Sequence, residues 1–73
     1  MKLCDLPKGE KATIIAIDAD KELKKRFNSF GIVKGATIYA EQHTITKQTM
    51  EVRINKTRMA LRLTEAEKVE ISQ

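Results

Sequence analysis

A chain of 73 residues accommodates one domain with one modest hydrophobic core, and we expect that domain to extend over residues 1–73. Hydrophobic residues make up 41% and charged residues 33% of the chain, proportions that exclude an intrinsically disordered protein. The net charge of +4 is compatible with nucleic acid, an anionic membrane surface or an acidic protein patch, and it does not choose among them.

Cysteine content and hydropathy indicate where the protein works. Cys4 is the only cysteine, so a disulfide within the chain is excluded. The first residues lack the apolar run of a signal peptide, and no stretch approaches the roughly 20 apolar residues that span a bilayer. We therefore expect a cytoplasmic protein.

The first half of the chain is predicted to hold one strand and one short helix. From Lys11 to Ile17 the residues are β-branched or small almost throughout, as in a central strand covered on both faces. Aspartates at 18 and 20 can cap a helix that begins near Lys21, and Gly31 can end it. The helix carries one apolar stripe, formed by Leu23, Phe27 and Phe30.

A second strand is predicted from Ala36 to about Gln42. The segment from His43 to Thr49 is polar and lacks a clear period, so we interpret it as a mobile loop or loose hairpin tip. His43, the only histidine, is accordingly expected to be a solvent-exposed loop residue.

The clearest pattern in the chain is a β-hairpin with the two-residue turn Asn55-Lys56. With this turn Val52 faces Met59 on the inner side, and Arg53 opposes Arg58 on the outer side. The inward apolar residues are Met50, Val52 and Ile54 on the first arm and Met59, Leu61 and Leu63 on the second.

The end of the chain completes a mostly β fold. Thr64 to Glu67 is predicted to form one capped helical turn, and Val69 to Ile71 a short closing strand. About five short strands with one short α-helix favour a small barrel, because closing the sheet removes exposed edges. Edges that stay exposed could pair copies of the chain, so a homo-oligomer is left open.

The order and spacing of these elements resemble the FeoA family across nearly the whole chain, although no single motif is specific. That family shows a leucine-rich start, a glycine turn, a helix ending in an apolar residue and glycine, a second glycine turn and an arginine-containing hairpin. The matching residues are Leu3, Leu6, Gly9, Arg26-Phe27, Phe30-Gly31-Ile32, Gly35, Val52-Arg53-Ile54 and Ala60-Leu61-Arg62.

The resemblance implies an SH3-like β-barrel and an accessory role in ferrous iron uptake. The implied partner is FeoB, the membrane GTPase that imports ferrous iron, bound by protein contact at the cytoplasmic face of the membrane. Such binding would tune transport or nucleotide turnover. The residues assigned to the contact are Arg26, Phe27, Phe30, Gly31, Gly35, Arg53, Arg58 and Met59, although the apolar ones also suit the core.

Catalysis and metal binding receive little support from the sequence. His43 has no recognisable cysteine, serine or carboxylate arrangement around it, so we expect no catalytic residue and no enzyme. Cys4 and His43 match no metal-ligand spacing, so we expect no metal site and no cofactor. One alternative is a metal-responsive SH3-like domain, as in iron-dependent repressors, in which Glu41 and Gln42 could be ligands.

A nucleic-acid-binding module is the other alternative, because small basic β-barrels bind RNA or DNA. Phe27 and Phe30 have core spacing, which leaves Tyr39 as the one candidate stacking platform where several are usual. We therefore expect no nucleic-acid partner. Basic residues cluster on the helix and on the hairpin, where they form either solvated faces or docking surfaces for an anionic partner: Lys21, Lys24, Lys25 and Arg26, and Arg53, Lys56, Arg58 and Arg62.

Overall fold

The computed structural model describes residues 1–44 and 48–73 of the chain. Five strands and two helices follow a 3-10 turn at Leu3–Asp5. The strands are β1 (Lys11–Ile17), β2 (Thr37–Thr44), β3 (Thr49–Ile54), β4 (Thr57–Arg62) and β5 (Val69–Ser72). The helices are α1 (Lys21–Ser29) and the single turn α2 (Leu63–Ala66). The predicted mostly β architecture with one short helix is confirmed.

All strand pairs in the sheet are antiparallel, and the strand order is β4-β3-β2-β1-β5. One cluster of buried side chains receives residues from every strand. Since neighbouring strands lie about 4.8 Å apart, a flat five-stranded sheet could not direct both of its edges toward one small core. The sheet must therefore curl around the core. The single turn α2 contacts β3 and β4, and the 3-10 turn contacts α2 and β5.

The hairpin of β3 and β4 has the predicted register. Val52 lies opposite Met59, and Arg53 lies opposite Arg58, with residues 55–56 as the turn. Asn55 takes a positive φ of 55°, a backbone conformation that asparagine tolerates better than most residues. The alternation of apolar and polar residues and the residue types of the turn are both local signals, so the sequence alone could predict this hairpin.

Strand β1 is an interior strand, paired with β2 on one side and with the edge strand β5 on the other, but the prediction that both of its faces are covered is wrong. Ala12 and Ile14 are buried, whereas Thr13 is exposed and Ile15 keeps 43% of its surface in solvent. The β-branched residues on the outer face reflect the preference of extended backbone for such side chains, which does not require burial.

Helix α1 begins and ends as predicted. The Asp20 carboxylate accepts a hydrogen bond of 2.8 Å from the Leu23 amide and so caps the first turn. At the other end Ile32 N–H donates to the Phe27 carbonyl, and Gly31 N–H donates to Asn28, which together form a Schellman motif. Gly31 takes the positive φ of 84° that this motif requires.

The apolar stripe of α1 is only partly buried. Phe27 lies in the core and Leu23 packs at its margin, but Phe30 is 40% exposed. Phe30 is the C-cap residue, and the chain turns away at Gly31 before any element can cover its ring. The interpretation of all three residues as one buried stripe is therefore wrong at Phe30.

Strand β2 extends two residues farther than predicted. His43 and Thr44 belong to β2 and Thr49 to β3, where His43 lies opposite Met50. His43 is half-buried, and its Nε2 donates a hydrogen bond of 2.9 Å to the Leu6 carbonyl. The prediction of an exposed loop is wrong for these residues, and its centre, residues 45–47, lies outside the described part of the chain.

Candidate functional site

A groove of about 480 Å³ runs along one flank of α1. Its floor is apolar and is formed by Ala16, Ile17, Ile32 and Val33. Its rim is formed by Lys21, Lys24, Lys25, Asn28 and Lys34. We call this surface the lysine groove. It joins three segments that are separate in the sequence: the end of β1, the helix and the residues that follow it.

Gly31 and Gly35 flank the segment that forms the side of the lysine groove opposite α1. Gly31 and Gly35 have φ values of 84° and 93°, which glycine adopts without steric strain. Gly35 N–H donates to the Ile14 carbonyl at 2.7 Å, so this segment is fixed beside β1. Between the glycines Ile32 turns into the core, whereas Val33 remains 37% exposed.

The charge of the lysine groove is uniformly positive. Lys21, Lys24 and Lys25 share one side of α1 because residues three and four apart are neighbours on a helix. Lys34 lies on the opposite side of the groove. Within residues 1–44 and 48–73, no acidic residue lines the groove and no ion pair involves any of these four lysines.

The predicted contact residues on α1 lie on the core side and on the flank away from the lysine groove. Arg26 Nη1 donates to Glu65 Oε2 at 2.8 Å and so ties the helix to α2. Phe30 is the exposed aromatic on the same flank, whereas Phe27 is buried and offers no surface to a partner. A Cβ on Gly31 would lie 3.7 Å from Ile54 Cγ2, which places this end of the helix against β3.

The predicted contact residues of the hairpin form a second group. Arg53 Nε donates to Glu41 Oε1 at 2.7 Å, and its guanidinium lies 4.1 Å from the centre of the Tyr39 ring. These contacts on neighbouring strands offset the repulsion from Arg58, which is exposed. Met59 is half-buried against the core. Arg53 therefore holds the sheet together and is not available as a free charge.

Sequence reasoning found part of the lysine groove and missed the rest. The helix lysines were recognised as a basic cluster, and Gly35 was assigned to the contact as a turn. Val33 and Lys34 were missed, because an apolar and a basic residue in a short turn have no period to mark them. The one signal in the sequence was their position between Gly31 and Gly35. Two glycine turns can fix the backbone of a short segment and still leave its side chains exposed.

Of the residues considered as metal ligands or stacking platforms, Glu41 and Tyr39 are engaged with Arg53, whereas Gln42 is exposed. Glu41 accepts from Arg53, which also covers one face of Tyr39. Burial raises the pKa of the Cys4 thiol, and the nearby Asp5 and Glu67 carboxylates raise that pKa further. Both effects disfavour the thiolate, which is the reactive form of cysteine. The described residues contain no group of three potential metal-binding side chains.

The fold and the lysine groove define a small SH3-like β domain with a basic, partly apolar surface. In the described ranges, no helix is long and apolar enough to cross a membrane. The FeoA domain model matches residues 1–73, and the chain belongs to the FeoA family, which takes part in ferrous iron transport.

Relatives and solved structures agree with this assignment. The chain is 33% identical over 72 residues to a Fe(2+) transport protein A of Campylobacter jejuni, with 99% of this chain and 97% of the relative aligned. The zinc-complexed FeoA of Stenotrophomonas maltophilia, a prokaryotic SH3 domain protein, is 26% identical with a TM-score of 0.85 and coverage of 99% and 89%. A manganese-dependent transcriptional repressor with bound manganese shares only the fold, at 20% identity, a TM-score of 0.91 and coverage of 99% and 35%.

Proposed function

We propose that this protein is a cytoplasmic accessory protein of ferrous iron uptake that binds the membrane GTPase FeoB by protein contact. Membership of the FeoA family supports a ferrous iron transport system as its setting. The observation that carries the mode of action is the lysine groove, an apolar surface that reaches solvent at Ala16 and Val33 and has a basic rim. Protein partners commonly contact an apolar centre of this kind with polar groups around it.

The domain acts on the transporter by docking, without chemistry of its own. Binding shifts the transporter between its conformations only if the domain has a higher affinity for one of them. A domain that prefers one nucleotide state of FeoB changes both GTP turnover and iron flux through this difference in affinity. The site therefore needs a surface complementary to one state, and it needs no catalytic group or bound metal.

Copurification with FeoB from detergent tests the proposal. Val33→Asp places a carboxylate on the exposed part of the groove floor, and we expect it to weaken retention by roughly tenfold or more, as at a buried interface position. Ile15→Asp is the matched control, since Ile15 is a β-branched residue of similar exposure that does not line the groove. Circular dichroism of both variants establishes that they fold.

The opposite flank of α1 supplies a second comparison. A variant with Arg26→Glu and Phe30→Ala removes the ion pair to Glu65 and the exposed ring, yet it leaves the lysine groove intact. We expect FeoB to retain this variant. Failure of the wild-type protein to bind FeoB in any nucleotide state would overturn the proposed function, and loss of binding in this variant alone would move the docking site to that flank.

A further inference from the structure

The four lysines of the groove differ from Arg26 on the helix and Arg53 on the hairpin. In the described residues Lys56, Arg58 and Arg62 also make no ion pair, but unlike the groove lysines they do not line the groove. Arg26 and Arg53 each hold a carboxylate of the same chain at 2.8 and 2.7 Å. The groove lysines have no such partner within the part of the chain that the structure describes. Four like charges around one small surface repel one another, and an anionic occupant relieves that repulsion.

The shape of the lysine groove restricts the kind of anion that fits. It is an open depression of about 480 Å³, large enough to accept a few side chains. The lining combines apolar residues with lysines, so an occupant that carries both apolar side chains and carboxylates matches all of it. A short protein segment carries both kinds of group in one chain.

We infer that the lysine groove binds a short acidic segment of a partner protein, with apolar side chains on Ile17 and Val33 and carboxylates at the four lysines. The inference rests on the proposed function for the identity of that partner, but the chemistry of the segment follows from the groove itself. Binding therefore has an apolar component that is insensitive to salt and an electrostatic component that salt weakens.

A peptide titration followed by NMR of the whole chain tests this inference. The probe is a short fluorescent peptide of glutamate and leucine only. Its counterparts replace every glutamate by lysine or every leucine by serine. We expect the first peptide to bind saturably and to shift the backbone amides of Asn28, Val33 and Lys34. We expect the lysine and serine peptides to bind at least about tenfold more weakly, since each lacks one of the two components.

Two charge-matched variants show whether peptide binding depends on the groove lysines or only on the net charge of the protein. The groove variant changes Lys21, Lys24, Lys25 and Lys34 to Gln. The control variant changes four lysines that do not line the groove, Lys8, Lys11, Lys56 and Lys68, to Gln. Both remove four positive charges. We expect roughly tenfold weaker peptide binding in the groove variant alone, because exposed ion pairs each contribute modestly.

The results separate the inference from the proposed function. Equal weakening in both variants, amide shifts elsewhere, or groove-dependent binding to phosphatidylglycerol vesicles without peptide binding would each overturn the inference. If FeoB retains the groove variant as well as the wild type, the inference fails while the proposed function stands. If the peptide binds in the groove but FeoB is not retained, the proposed function fails and the inference stands.

Discussion

The carboxylate of Glu70 anchors the first residues of the chain to β5. Its Oε2 lies 2.7 Å from the amino group of Met1, and its Oε1 lies 3.7 Å from Lys2 Nζ. The backbone supports this arrangement, since Ile71 N–H donates to the Met1 carbonyl at 2.7 Å. The hydrogen bond from the Met1 ammonium, together with the charge of Lys2, holds the pKa of the Glu70 carboxyl below its ordinary value.

A lowered pKa in the folded state makes stability depend on pH in a defined direction. The folded protein binds fewer protons than the unfolded chain when Glu70 titrates, so its contribution is complete above the ordinary pKa of about 4.3 and is lost as the pH falls below it. We expect Glu70→Gln to lower the free energy of unfolding at neutral pH and to weaken its decline toward pH of about 3. Urea unfolding at both pH values measures this.

The control for the Glu70→Gln variant is Glu51→Gln, since Glu51 is exposed on the outer side of β3. This substitution removes a carboxylate that makes no ion pair in residues 1–44 and 48–73. We expect its urea midpoint to follow that of the wild type at both pH values. An unchanged pH dependence in Glu70→Gln would show that the contact with Met1 contributes nothing to stability.

His43 shows which residues a sequence pattern cannot place. Its neighbours are polar and irregular, so local signals predicted a loop. Its position depends on strand pairing with Met50 and on a hydrogen bond to Leu6, which lies 37 residues earlier in the chain. Contacts over such separations are created by the fold, and no local period encodes them.

At the scale of elements, the end of α1 depends on one backbone conformation. Gly31 holds a positive φ, and the space at its Cβ position is open enough for a methyl group, with Ile54 Cγ2 at 3.7 Å. The cost of Gly31→Ala is therefore conformational, and we expect a loss of about 1 to 2 kcal/mol of unfolding free energy. Chemical denaturation measures it.

A second substitution at the same position tests this explanation. Asparagine tolerates positive φ better than alanine, so Gly31→Asn is expected to retain more stability although its side chain is larger. If the larger side chain proves more harmful than alanine, crowding against Ile54 determines the cost, and the conformational account is wrong.

The elements that were predicted correctly are those with local determinants. Asp20 caps α1 through a residue three positions on, and the hairpin turn at residues 55–56 joins strands that pair directly. The prediction was wrong at Phe30 because helical spacing shows which residues share a face of α1, but not how far along the helix that face is covered by the rest of the protein. Ile15 was misplaced for the related reason that β-branched residues also suit an exposed strand face.

At the scale of the whole molecule, stability depends on a small core. A domain of this length has roughly 5 to 10 kcal/mol of unfolding free energy. Phe27 is buried, and we expect Phe27→Ala to remove about 3 to 5 kcal/mol of it, a large share of the total. Phe30→Ala is the matched control on the same helix, and we expect a loss below about 1 kcal/mol.

Thermal and urea unfolding of the two phenylalanine variants measures this contrast. Equal losses would mean that the ring of Phe30 is covered in solution and that the exposed flank of α1 is smaller than the structure indicates. The sequence predicted that both rings belong to the core, so this comparison also tests directly where the core ends.

The sequence predicted the barrel better than it predicted the surface. Alternation, caps and glycine turns each specify one element, and together they sufficed for the mostly β fold. The lysine groove combines residues from β1, α1 and the segment before Gly35, so it exists only after those elements have packed. Its helix lysines were visible in the sequence, but the apolar floor beneath them was not.

The segment between Gly31 and Gly35 has a consequence for how partner choice can change. Its backbone is fixed at both ends, and Ile32 alone anchors it in the core. Val33 and Lys34 are exposed, so, with docking in the lysine groove as proposed, substitutions there would alter which partner sequences bind while the buried Ile32 keeps the segment in place. In that case affinity and foldability depend on separate positions within three consecutive residues.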